Sequence, residues 1–200
     1  MKTQNYILTI ALGVLSLCAC QSNKDSKGVA DSANKVKDTM RSGVSDSGKA
    51  IIPPIKVEES DAKFAVEAAN GGMAEVVLGK LALEKSNNAK VKDFANMMVT
   101  DHSKVNDELK ALAKKLNITL PDSIASDESK TRDDLAKKSG AEFDEAYVKD
   151  MVDDHKKDVK AFEDAAKNCK DNDLKAFAAK TLPTLKMHLE AIERVKKQMK

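Results

Sequence analysis

Imidazole is a common ligand for transition metals near neutral pH, and the chain carries three histidines, His102, His155 and His188. Each stands near the middle of a long helical segment, on that segment's apolar stripe. A fourth segment puts Glu75 in the corresponding place. Four helices aiming one such side chain each at a common level would build a metal site. Three imidazole nitrogens and a carboxylate oxygen suit zinc, copper or iron. Zinc would be held tetrahedrally, with Glu75 as fourth ligand or as a base beside a bound water. Met98 and Met151 lie one turn before His102 and His155, so each Met–His pair shares a helix face. A thioether there, as an auxiliary ligand, would shift the preference toward copper, above all the reduced ion.

A second reading needs no metal. Buried histidines in a bundle commonly hydrogen-bond to a backbone carbonyl or a carboxylate, and Glu75 could supply that partner. Such a polar cluster would fix helix register, with Met98 and Met151 as packing residues. Asp101 and Asp154 are about 100° round their helices from the adjacent histidines. That places them as solvent-side partners of Lys104 and Lys157 rather than as ligands. A ferritin-type di-iron centre needs Glu-x-x-His on two helices, but Val99, Val152 and Leu185 precede the histidines by three. An enzyme ranks third: an open His/Glu metal site could activate water, yet no motif specifies a substrate, and no catalytic residue is assigned.

The elements that must position these groups are read from apolar spacing. One segment runs Val91, Ala95, Met98, His102, Val105, Leu109, Leu112, Leu116, alternating four and three. Another repeats the alternation through Leu174, Ala178, Thr181, Leu185, His188, Ile192, Val195 and Met199. Between them, Val148, Met151, His155, Val159, Phe162, Ala166 and Cys169 trace one face. The first segment offers Phe64, Ala68, Gly72, Glu75, Gly79 and Ala82, a thin face that permits close helix approach. Ser60-Asp61, Asn87-Asn88, Asn117, Gly140 and Asp171-Asn172-Asp173 mark the boundaries. Pro183 is expected to kink the last helix one turn before His188. The stretch from 117 to 140 is far longer than a helix hairpin requires, and a short helix from Glu128 to Lys137 is expected within it. The fold expected is all-α: a ferritin-like up-down four-helix bundle over 58–200, with a long crossover between helices 2 and 3. Met98-Val99-Thr100-Asp101-His102-Ser103-Lys104 echoes Met151-Val152-Asp153-Asp154-His155-Lys156-Lys157, and a crossover would set the two motifs parallel.

The N-terminal part indicates where the protein works. Lys2, then an apolar run from Ile7 to Leu17, suits a secretory signal over 1–19 and is too short for a stable membrane span. Leu17 and Ala19 before Cys20 resemble the bacterial lipobox, in which Cys20 becomes the acylated N-terminus; Cys18 would leave with the signal. Gln21 in place of aspartate favours the outer membrane, with the protein facing the periplasm or the cell surface. Residues 20–57 are rich in Ser, Lys, Asp, Gly and Asn, which predicts a flexible, lipidated and disordered tether. Its r.m.s. reach would be roughly 30–35 Å, with a weakly patterned amphipathic helix between Val29 and Val44 as an alternative.

Cys169 is then the one thiol of the folded part, so no internal disulfide supports the domain, and its expected role is packing. Thirty-four Lys and Arg offset thirty-two Asp and Glu without a basic tract, and Trp is absent. Nucleic-acid binding is therefore excluded as a working reading. The partners expected are a membrane, through the N-terminal lipid, and an envelope protein.

Several motifs also resemble a known family. They are Ala68-Ala69-Asn70-Gly71-Gly72-Met73-Ala74-Glu75-Val76, Val91-Lys92-Asp93-Phe94-Ala95, Met98-Val99-Thr100-Asp101-His102, Ser139-Gly140-Ala141-Glu142-Phe143-Asp144 and Thr181-Leu182-Pro183-Thr184-Leu185-Lys186-Met187-His188-Leu189. In this order, over about residues 60 to 195, the chain resembles a bacterial domain-of-unknown-function family, number 4142. The resemblance implies a ferritin-like bundle in an envelope or secreted protein, and no established activity.

Overall fold

Four long helices follow from the four stripes. The computed structural model describes residues 25–41 and 54–199. Its helices are α1 (Ser26–Arg41), α2 (Glu59–Lys85), α3 (Ala89–Leu116), α4 (Ser126–Ala136), α5 (Gly140–Asn168) and α6 (Asn172–Gln198). No strand occurs among the described residues. Local chemistry sets the ends. The Asn88 side chain accepts from Lys90 N at the start of α3, and Asp171 accepts from Asp173 N and Leu174 N at the start of α6. Asn117 ends α3 at φ 58°, a left-handed conformation that asparagine tolerates. Ile118 N then donates back to Ala113 O at 2.8 Å, which satisfies a terminal carbonyl. α6 runs unbroken through Pro183.

The core divides into two apolar clusters. One joins Ala62, Ala65 and Ala69 of α2 with Leu109 and Leu116 of α3, Phe162 of α5 and Phe177 of α6. The other joins Leu78 and Ala82 of α2, Phe94 and Met98 of α3, Tyr147 and Met151 of α5, and Ile192 of α6. The N-terminal halves of α3 and α5 thus meet at one end and those of α2 and α6 at the other. α3 runs parallel to α5, and the duplicated motifs lie at the same level, as a crossover requires. Glu75, His102, His155 and His188 each fall in sequence between the two clusters on their own helix. They form a polar layer across the middle of the bundle.

α2 approaches α3 closely. A Cβ at Gly72 would collide with Asn106 Oδ1, and one at Gly79 would lie 3.0 Å from Val99 Cγ2 and 3.1 Å from Ala95 O. The α2 face is rotated from the expected one at its start. Ala62, Ala65 and Ala69 are buried, while Phe64 and Ala68 are half-buried at the edge. The crossover carries α4, and Asn70 ties it down by accepting from Ala125 N at 2.7 Å and donating to Glu128 Oε1 at 3.1 Å. Asp61, buried at the start of α2, accepts from Lys170 N and Asp171 N and so fixes the α5–α6 turn. Cys169 packs beside it in the core, and burial with the Asp61 charge pushes its thiol up to about 12.

The flexible tether expected over 20–57 needs correcting where it is described. Residues 26–41 form α1, and Ile55 and Val57 are buried against the first cluster. The reason is docking through polar groups, which composition does not register. The Asn34 carboxamide donates to Thr119 O at 2.8 Å and accepts from Thr119 N at 2.7 Å. Lys37 donates to Asn117 O at 2.9 Å, and Lys27 pairs with Glu67 at 2.8 Å. The signal segment, Cys18 and Cys20 lie outside the described residues. No described helix is long and apolar enough to cross a membrane.

Candidate metal centre

Each histidine is delivered by a different helix and is almost wholly buried, at 3% exposure for His102 and 0% for His155 and His188. The ring centroids are 5.2–5.8 Å apart. One ligand nitrogen from each ring lies within 4.8 Å of the others. With metal–nitrogen bonds of about 2.0–2.1 Å, tetrahedral ligands stand about 3.3 Å apart. Side-chain adjustments of about an ångström would close the set around an ion.

His155 and His188 are each oriented by a hydrogen bond at one nitrogen and leave the other free, while His102 abuts Glu75 through one nitrogen and leaves the other free. His102 Nδ1 lies 2.7 Å from Glu75 Oε2, His155 Nδ1 lies 2.9 Å from Met151 O, and His188 Nε2 lies 3.1 Å from Asp101 Oδ2. The remaining nitrogens, His102 Nε2, His155 Nε2 and His188 Nδ1, are buried without a hydrogen-bond partner. An acceptor turned against one nitrogen places the ring proton there and leaves a lone pair on the other. That is the arrangement by which metal-binding histidines are held. Glu75 is 2% exposed, and its Oε1 stands 3.3 Å from His155 Nε2, one of the unpaired nitrogens.

The electrostatics follow from burial. His102 and His188 are held down to about 4 and His155 is lowered, in each case chiefly because burial disfavours the imidazolium. All three are neutral at pH 7, the form that ligates metal. Burial raises Glu75 to about 7 against the pull of His155. Asp158, on α5 one turn past His155, is raised well above the carboxylate range by burial and by the Glu75 charge.

The three histidines expected from the sequence are brought together, and Glu75 reaches two of them, His102 and His155. Met98 and Met151 are buried in the second apolar cluster, and the Met151 carbonyl orients His155. Asp154 pairs with Lys157 at 3.1 Å, as expected. Asp101 does more than expected: besides Lys104 at 3.9 Å, it reaches across to His188 on α6. Sequence reasoning missed Asp158. The signal available was the His155-x-x-Asp158 spacing, which returns a carboxyl to the histidine's face.

Comparison with known proteins adds fold-level likeness. Residues 50–195 match the model of DUF4142, a domain of unknown function. Among solved structures, a DUF305 fragment from Deinococcus radiodurans is 11% identical, with a TM-score of 0.63 over 71% of this chain and 98% of that one. CopM in the Cu(II)-bound form is 14% identical, with a TM-score of 0.60 over 70% of this chain and 97% of that one. CopM in the Cu(I)-bound form gives 15%, 0.59, 69% and 96%. No curated protein matches the chain.

Proposed function

The chain belongs to the DUF4142 family, and from that premise we propose that it is a non-enzymatic metal-binding module of the bacterial envelope. His102, His155 and His188 would be the ligands of one copper or zinc ion, with Glu75 as the fourth donor. The observation that carries this reading is three buried ring nitrogens without hydrogen-bond partners, two of them on rings oriented by a hydrogen bond at the opposite nitrogen. Leaving buried polar atoms unpaired costs about 1–3 kcal/mol each, and an ion at their centre would offset that cost. Similarity in fold to copper-bound CopM supports copper as the first metal to try. Cys20 would carry the lipid and place the domain at the outer membrane. Met98 and Met151 remain candidates as soft auxiliary donors.

A second reading keeps the cluster and drops the metal, making this a structural or interaction lipoprotein with an envelope partner. The contacts of Glu75 with His102 and of Asp101 with His188 favour it, since they link the helices without an ion. Metal content separates the two. The full chain, produced in a bacterial periplasm without a histidine tag, is expected to carry about one equivalent of copper or zinc. His102→Ala is expected to lose the metal and keep the helical fold. No metal after reconstitution with copper(I), copper(II), zinc and iron(II) would leave only the structural network.

A further inference from the structure

The buried cluster has an acidic approach. A cleft of about 310 Å³ opens between α2, α4 and α5, with Glu67, Glu75, Glu128, Asp154, Asp158 and Lys157 among its lining. At its inner end stands Glu75, 2% exposed, neither of whose oxygens completes a hydrogen bond of good geometry with a neighbouring N–H. The same carboxylate contacts His102 at 2.7 Å and His155 at 3.3 Å. It is therefore shared by the cleft and the cluster.

The cleft's carboxylates come from three helices, α2, α4 and α5. Asp154 and Asp158 lie four residues apart along α5, both in the cleft lining. Glu128 on α4 faces the same opening, where Asp154 adds to the burial that raises it. Counter-ions are few: Lys157 pairs with Asp154, and Lys27 with Glu67. Among the described residues the histidines form the group able to hold an ion, and the cleft carboxylates form no such group. They are too dispersed to retain a cation and well placed to attract one.

We propose that this cleft is the access route by which a hydrated transition-metal cation reaches the histidines, with Glu128 and Asp154 drawing it in and Glu75 passing it to His155 and His102. The inference rests on the histidine cluster being a metal site. A cleft in which one sign of charge predominates raises the local cation concentration and the association rate, and salt suppresses the gain. Water leaves the ion as the carboxylate and then the imidazole nitrogens replace it, and no electron transfer is required.

The test is copper(II) association with the apo full chain, followed by tyrosine fluorescence quenching in a stopped-flow instrument. The chain has no tryptophan, and Tyr147 is in the core cluster near the site. Two variants are compared: Glu128→Gln/Asp154→Asn, which removes charge, and Ala161→Phe, which fills the cleft from an exposed position in its lining. Both are expected to bind copper(II) with unchanged equilibrium affinity but about tenfold more slowly at low salt, with the charge variant also losing salt dependence. Wild-type association rates in both would overturn the route and leave the metal site standing. Loss of equilibrium affinity in the charge variant would also overturn it, because the carboxylates would then hold the ion. A wild-type chain that takes up no copper(II), zinc or copper(I) would remove the metal site and the route together.

Discussion

At the scale of single residues, the groups that orient the rings matter as much as the rings. Asp101 holds His188 by its Nε2 and leaves Nδ1 free. Partners of this kind typically contribute ten- to hundredfold in metal affinity. Asp101→Ala is therefore expected to weaken copper(II) binding by about that factor, measured by competition with a chromophoric chelator, with the helical signal unchanged. His188 also links stability to pH. Its folded value of about 4 lies below the ordinary 6.5, so the unfolded chain takes up the proton first. Its contribution is present above 6.5 and is lost as pH falls toward 4. Comparing wild type with His188→Gln in urea should show a relative loss for the wild type of about 2 kcal/mol between pH 7 and 4.5. The histidines were legible because each interrupts an apolar stripe with a metal-competent group. Asp158 and the reach of Asp101 were not, because each depends on which side chain faces it from another helix.

At the scale of elements, α2 shows how closely helices must pack to set the layer. Two adjacent glycines make opposite predictions. A Cβ at Gly71 would meet only the Asp158 carboxylate, at 3.7 and 3.9 Å, so Gly71→Ala should gain about 0.5–1 kcal/mol from helix propensity. A Cβ at Gly72 would collide with the carboxamide of Asn106, itself 8% exposed. Gly72→Ala should therefore lose about 1–2 kcal/mol despite the same propensity gain, and urea melts of the two variants would resolve the sign. The helix ends were readable from Asn88, Asn117, Gly140 and Asp171, because caps and left-handed positions draw on few residue types. The rotation of α2 at its start was not, because Phe64 and Ala65 are both apolar and only packing decides which turns inward.

At the scale of the molecule, two apolar halves stabilise the bundle and the polar layer between them carries its chemistry. An ion bound only by the folded state would add about 2.7 kcal/mol at a free concentration one hundred times its Kd. Thermal melts should therefore shift upward on loading, and the shift should vanish in His155→Ala. α1 is attached from outside this core through Asn34 and Lys37. Asn34→Ala should raise hydrogen exchange across α1 while leaving the melting of α2, α3, α5 and α6 nearly unchanged. The four long helices and the crossover were legible from periodicity and loop length. The docking of α1 was not, since a segment rich in Ser, Lys and Asp gives no sign of partners on Thr119 and Asn117. X-ray absorption on the copper-loaded full chain tests the central claim most directly. The account expects three imidazole scatterers at about 2.0 Å, reduced to two in His188→Ala. Copper surrounded by oxygen alone, or a spectrum that the substitution leaves unchanged, would contradict it.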